Sequence, residues 1–344
     1  MKIGILDIFG DCRAWDEYVV AHPSATVYHM SAWGRAVAKS MGHKCYYIYV
    51  EDGGKICGLL PLIHVKSMLF GNALISVAFA TNGGPVFDNR AVLDFLDEKC
   101  RDLMGELKLG SLECRNTASI HEDWPTKQDM YSTFRKNLSE DNEENMLAIP
   151  RKQRAMVRKG IKFGLKAVID EQPDRLFAMY SQSVRNLGSP VFPKKLFYCL
   201  KQEYGKDCEI LTIETDQGKP ISSVMTFYFR DEVIPYYGGG TFEARGLAAN
   251  DFMYWSLMER AVSERNCRIF DFGRSKNGTG AFSFKKNWGF EPESLNYEFM
   301  LKEGGEMPDI NPLNPKYQLM IKVWKKLPMP VANFIGPLIS KSLG

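Results

Sequence analysis

IPYYGGG (234–240), TFEARGLAAN (241–250), DFMYWSLMERAVSER (251–265), CRIFDFG (267–273) and RSKNGTGAFSFKKNWGFEP (274–292) follow one another in the second half of this chain. In order they predict a strand, a glycine-rich turn, a basic loop, a helix, a second strand and a basic segment rich in aromatics and glycine. A strand that hands over to a helix N-terminus presents free backbone NH groups, and with cations nearby it favours an anionic group. That arrangement points to a transferase acting on a phosphate-bearing donor, rather than to a hydrolase or a metal enzyme.

Composition narrows the classes around this stretch. A length of 344 residues suggests about two domains, at roughly 150 residues each. The formal net charge of +3 is too small for the whole surface to be a nucleic-acid platform, so anion binding must come from local clusters. The N-terminal apolar run is too short and too interrupted by acids for a signal peptide. No apolar run approaches the roughly 20 residues of a membrane span. Eight scattered cysteines without a CxxC pair predict reduced thiols in a cytoplasmic protein. The five histidines all lie at or before His121, so histidine cannot be the base of a C-terminal site. No metal-ligand spacing occurs, and no metal is expected.

Two hairpin signals have one form. KCYYIYVEDGGKICGLLPLIHV (44–65) and CEILTIETDQGKPISSVMTFYF (208–229) each set β-rich runs around an acidic, glycine-bearing turn. Asp52, Gly54 and Lys55 match Asp216, Gly218 and Lys219. The first is followed by ALISVAFA (73–80), TNGGP (81–85), a helical pattern over 91–107 and SLEC (111–114). The second is followed by VIPYYGGG (233–240), a helix over 250–265 and RIFDF (268–272). Each copy ends in a strand–helix–strand crossover, which implies parallel pairing. The expected fold is therefore α/β, in detail α+β with mixed sheets, in two tandem units. The acidic link NLSEDNEENM (137–146) marks the boundary, giving domains 1–145 and 146–302 and a basic tail 303–344.

Three motifs carry the chemistry. IPRKQRAMVRKGIKFGLKAVI (149–169) predicts a helix that starts after Pro150, stops at Gly164 and turns Met156, Val157 and Ile161 inward. Its Arg154 and Arg158, four apart, can grip one phosphate or two neighbouring ones, although such a run also reads as a solvated face. In 241–250, Arg245, Gly246 and the small residues after them would let backbone approach a ligand, with Asn250 as N-cap. In 273–292, Arg274, Lys276, Lys285 and Lys286 stand among Phe282, Phe284, Trp288 and Phe290. A cation in a partly dry aromatic pocket stabilises the oxyanion of acyl transfer by about 3–4 kcal/mol. The same mixture suits a stacked single-stranded nucleic acid, and Phe284 with Trp288 also reads as core.

Together SAWGRAVAKSMGHK (31–44), IPRKQRAMVRKGIKFGL (149–165), YYGGGTFEARGLAANDFMYWSLMERA (236–261), FDFGRSKNGTGAFSFKKNWGF (270–290) and WKKLPMPVANFIGPLISKSLG (324–344) resemble the FemAB family of the GNAT superfamily. More narrowly, they resemble the FemAB-like proteins associated with exosortase/PEP-CTERM exopolysaccharide systems. The resemblance implies two GNAT-like domains. It also implies transfer of an acyl or aminoacyl group to an amino group of a cell-envelope or exopolysaccharide precursor. The donor would be a co-substrate, acyl-CoA or aminoacyl-tRNA, with no bound cofactor. By position, Lys285 would sit near the ester under attack, and Arg154, Arg158 and Lys39 near acceptor phosphates. Arg245, Gly246, Asn250 and Arg274 are the candidates for donor phosphates, and Asp271 or Tyr237 for the base. The long helical arm that some FemAB proteins use for tRNA contact is not evident here.

The tail from Asn314 places Tyr317, Met320, Ile321 and Trp324 at helical spacing beside Lys316, Lys322, Lys325, Lys326 and Lys341. It reads as an interfacial helix at the inner face of the plasma membrane or as a helix packed on the body. The expected partners are a small-molecule or lipid-linked glycan or peptide acceptor, and tRNA if it is the donor. The acceptor is expected between the two domains. The competing reading is a non-catalytic scaffold of the same fold that binds a glycan precursor or a membrane-associated partner. Near-balanced charge and the lack of a repeated aromatic platform argue against general RNA binding.

Overall fold

A computed structural model describes residues 1–67, 71–308 and 315–343. The chain forms two compact units: Met1–Met130 with Ser294–Pro312 and Leu338–Gly344, and Tyr131–Glu293 with Leu313–Pro337. Each has its own mixed sheet.

In the N-terminal unit, Lys44–Asp52 and Lys55–Ser67 form an antiparallel hairpin, and its turn glycines Gly53 and Gly54 adopt the left-handed conformation that glycine alone takes readily. Gly71–Ser76 adds antiparallel to the hairpin. The helix Arg90–Glu106 begins where the Asn89 side chain accepts a hydrogen bond from the Val92 NH, as an N-cap should. It buries Val92, Leu96, Cys100, Leu103 and Met104, a spacing that follows the helical period. Ser111–Asn116 then pairs parallel with Gly71–Ser76.

The C-terminal unit repeats that order. Cys208–Glu214 and Pro220–Phe229 form the hairpin, and Glu232–Gly240 adds antiparallel to it. The helix Ala249–Arg265 crosses over, and Ile269–Asp271 pairs parallel with Glu232–Gly240. The fold is thus tandem GNAT-like. The three glycines of IPYYGGG belong to the strand and not to a turn. Gly239 is required there by packing: a Cβ would stand 2.5 Å from the Met179 carbonyl oxygen and 2.7 Å from the Ser183 hydroxyl.

The expected boundaries at 145/146 and 302/303 move because each sheet is completed by a strand from elsewhere in the sequence. Tyr131–Asn137 pairs with Ile269–Asp271 in the C-terminal sheet. Asn296–Leu301 pairs with Ser111–Asn116 in the N-terminal sheet. Strand partners are set by ladder hydrogen bonds that leave no mark in either segment's own pattern. The acidic stretch expected as a linker is instead the helix Asn142–Ala148, capped by Asp141.

Glu298 pins the strand Asn296–Leu301 in place. It is fully buried and accepts from the Asn116 side chain at 2.7 Å and the Ile120 NH at 2.7 Å. Its carboxylate lies 2.7 Å from His121 Nδ1, whose Nε2 lies 3.1 Å from Asp97.

The tail is not a separate domain. Its helix Pro315–Trp324 and residues 329–337 of its helix Met329–Ser340 belong to the C-terminal unit, and the residues from Leu338 onward to the N-terminal unit. Of the expected tail residues, Asn314 and the side chains of Lys316 and Tyr317 lie outside the described residues.

Candidate active site in the C-terminal unit

The site is set by how far Glu232–Gly240 and Ile269–Asp271 stay together. They pair at Glu232↔Ile269 and Val233↔Phe270 only. On its other side Glu232–Gly240 remains bonded to Pro220–Phe229 as far as Gly240↔Ser222. A register shift leaves Tyr236 as the extra residue of the strand, and such a bulge bends a strand locally. The two strands therefore part at their carboxyl ends, where open α/β sheets take ligands.

Lys285 stands at the end of the shorter strand. Its helix, Gly280–Asn287, starts where the Thr279 hydroxyl accepts from the Phe282 NH. Trp288, just past the helix, sits in the core with Phe284 packed against it. Lys285 Nζ donates to the carbonyls of Gly273 at 2.7 Å and Arg274 at 3.1 Å. It also lies 5.4 Å from the centre of the Phe134 ring and 5.8 Å from that of Phe272. Burial pulls its pKa down to about 7, with Asp271 opposing and Arg274 adding to the shift. Near neutral pH the amine is thus divided between its cationic and neutral forms.

Asp271 accepts from the Gly273 NH at 2.7 Å and the Thr133 hydroxyl at 3.4 Å. Burial raises its pKa against the Gly273 NH, Arg135 and Lys285, which makes it a better proton acceptor than an exposed carboxylate. Arg274 places its guanidinium 4.5 Å from the centre of the Tyr131 ring. Lys285, Asp271 and Arg274 thus share one neighbourhood.

The other expected residues lie in different settings. Tyr237 is boxed by Tyr180, Phe192, Phe197 and Tyr236 at centroid distances of 5.6, 5.9, 5.2 and 4.6 Å. Arg245 and Gly246 are exposed on the short helix Phe242–Gly246, and a Cβ on Gly246 would meet nothing within 4 Å. Asn250 is not the N-cap of the long helix. That place is taken by Ala248 in a left-handed conformation, and Asn250 Oδ1 instead accepts from the Ser222 hydroxyl at 2.9 Å. Arg154 is half-buried and Arg158 exposed, one turn apart on the helix Arg151–Lys162. Lys39 belongs to the N-terminal unit, 6.0 Å from the Phe9 ring centre. Val157 is buried as expected, whereas Ile161 is half exposed, because Gly160 is the residue that meets Phe252.

Sequence reading missed Thr133 and Arg135, which arrive on the exchanged strand, and also the pair Gln153 and Asp251. Asp251 Oδ1 accepts from Gln153 Nε2 at 2.9 Å and from Trp288 Nε1 at 3.0 Å. One buried carboxylate thereby ties the basic helix and the end of the lysine helix to the crossover helix. Asp251 reads in sequence as an ordinary first-turn acid, so nothing signalled those partners. Among the described residues no group of three His, Cys, Asp or Glu could hold a metal ion.

Residues 149–286 match the family model described as an acetyltransferase (GNAT) domain, and this match supports an acyltransferase. The whole chain is similar in fold to solved structures at low identity. FemX aligns with a TM-score of 0.67 at 15% identity, over 93% of this chain and 100% of the other. A tandem GNAT protein from the clavulanic acid biosynthesis pathway aligns with a TM-score of 0.54 at 13% identity, over 89% and 99%. L-PGS from Bacillus licheniformis gives 0.52 at 12%, over 92% and 98%. No curated protein sequence matches the chain significantly.

Proposed function

We propose that this protein is an N-acyltransferase of the FemAB type that transfers an acyl or aminoacyl group to an amino group of a cell-envelope or exopolysaccharide precursor. The observation that carries the reading is Lys285: a desolvated amine held at the end of two parting strands inside a GNAT domain. The donor, acyl-CoA or aminoacyl-tRNA, lies with its carbonyl toward Lys285 and its phosphates toward Arg274, with Arg245, Gly246 and Asn250 as outer contacts. A neutral acceptor amine attacks the carbonyl carbon. A C–N bond forms, the C–S or C–O bond to the carrier breaks, and the carrier leaves as a thiol or hydroxyl after taking up a proton. The Lys285 ammonium stabilises the oxyanion of the intermediate. Asp271 receives the proton that the amine sheds, and Tyr237 shapes the wall of the cleft. Arg154, Arg158 and Lys39 are assigned to acceptor phosphates. The work takes place in the cytoplasm.

Thermal shift with coenzyme A, an acyl-CoA and bulk aminoacyl-tRNA tests this reading. Stabilisation by coenzyme A and acyl-CoA marks an acyl donor, and stabilisation by aminoacyl-tRNA alone marks an aminoacyl donor. Binding of none favours the non-catalytic scaffold.

A further inference from the structure

The helix Met329–Ser340 is turned opposite to an ordinary surface helix. Its small residues Ala332 and Gly336, four apart, face inward: Ala332 is 2% exposed, and a Cβ on Gly336 would stand 2.9 Å from a Val191 methyl. Its large residues Val331 and Phe334 face solvent, Phe334 at 76% exposure. The helix Pro315–Trp324 likewise leaves large apolar residues outside, although Ile321 and Trp324 turn inward. Ile321 lies over Gly188, close enough that a Cβ there would meet its Cγ2 at 2.5 Å. The Arg185 guanidinium donates to the Lys325 carbonyl at 2.9 Å. On the outer side Leu319 and Val323 are 65% and 54% exposed, and Leu187, the chain neighbour of Gly188, is exposed as well. Of the tail residues at helical spacing, Ile321 and Trp324 are half-buried, as in the reading of a helix packed on the body, whereas Met320 is exposed.

Two successive helices that turn large apolar side chains to solvent mark an interaction surface. The charge pattern identifies one. From residue 310 to the end there is no acid and there are five lysines, of which Lys322, Lys325 and Lys326 are exposed beside the apolar side chains. A protein partner offers mixed charge, and a second copy would set this basic surface against itself. An anionic bilayer offers an apolar interior under negative headgroups, and each lysine near such a surface adds about 1 kcal/mol. Among the described residues no helix is long and apolar enough to cross a membrane, so the contact is interfacial.

We propose that these two helices form a face that docks the C-terminal unit on anionic lipid, with Phe334, Val331, Leu319 and Val323 in the headgroup–acyl boundary. The inference is independent of the acyl-transfer reading.

Cosedimentation of the full chain with vesicles of phosphatidylcholine, with and without phosphatidylglycerol, tests it. The chain should pellet with the anionic vesicles and be released by raised salt. Val331→Ser with Phe334→Ser, and separately Lys322→Glu with Lys326→Glu, should each lower partitioning by more than about tenfold. These side chains are exposed, so circular dichroism should be unchanged. Absence of pelleting, or pelleting that ignores both pairs of substitutions, would overturn the proposal. So would lipid-free self-association in sedimentation velocity that Phe334→Ser abolishes, since it would make a second copy the occupant.

Discussion

In the N-terminal unit the parallel strands Gly71–Ser76 and Ser111–Asn116 stay paired through Ser76↔Cys114, the last residue of the first strand. Beyond that pair the chain is tied back. The Arg115 NH donates to the Ser76 hydroxyl at 3.0 Å, the Gly83 NH to the Arg115 carbonyl at 3.0 Å, and the Arg115 guanidinium to the Ala80 carbonyl at 2.8 Å. A small cavity walled by His29, Asn82, Gly84 and Asn116 is what remains. In the C-terminal unit the same pair of strands separates after Val233↔Phe270, and Glu232–Gly240 continues to Gly240 without that partner. Two copies of one element order thus end differently: one is tied on beyond its last parallel pair, and in the other the strands separate with Lys285 beside the end of the shorter one. The difference teaches that a repeated element order need not repeat the contacts at its strand ends, which is where the proposed chemistry is assigned to one copy.

The lacing can be broken most severely at His121, which stands between the buried carboxylates of Asp97 and Glu298. His121→Ala leaves both uncompensated and should cost about 3–5 kcal/mol in urea denaturation. Although burial opposes the cation, hydrogen bonds that the ring donates to Asp97 and Glu298 raise the His121 pKa to about 9 in the folded state, above its ordinary 6.5. Its stabilising contribution is therefore complete below pH 6.5 and is lost as pH rises through about 9. The stability difference between wild type and the alanine variant should therefore shrink across that window.

At the open copy, Lys285→Ala should lower single-turnover rate by about two orders of magnitude while the fold persists on circular dichroism. The ammonium form prevails below about pH 7, so the step that uses it should slow as pH rises through that value. Full activity in the alanine variant would remove Lys285 from the chemistry.

A smaller effect sorts glycines that look alike in sequence. Gly239→Ala drives a methyl toward the Met179 carbonyl and should destabilise by about 1–3 kcal/mol on thermal unfolding. Gly246→Ala meets empty space and should change stability by less than about 0.5 kcal/mol. If Gly246→Ala instead weakens binding of coenzyme A, the glycine serves ligand approach.

Much of the open copy was legible in the residues. The strand, helix, strand and lysine segment of 234–292 fall in the expected order, because alternation and helical period are local signals. Both hairpins and the start and stop of the basic helix at Pro150 and Gly164 were readable for the same reason. Partners far apart in sequence were not. Glu298 and Arg135 arrive on strands exchanged between the halves, and neither segment records where its ladder will form. The helix Ala249–Arg265 is buried on nearly every side, which removes the periodicity that would have marked its inner face. Asn250 read as a cap because capping residues are common before helices, yet the left-handed turn at Ala248 starts the helix and frees Asn250 to hold Ser222.

The central claim is that the donor binds where the C-terminal strands part and not in the laced copy. Hydrogen exchange on the full chain with and without coenzyme A tests it directly. The account predicts protection confined to 234–251 and 271–286. Protection at 81–87 and 115–118, the walls of the N-terminal cavity, with none in the C-terminal unit, would contradict it.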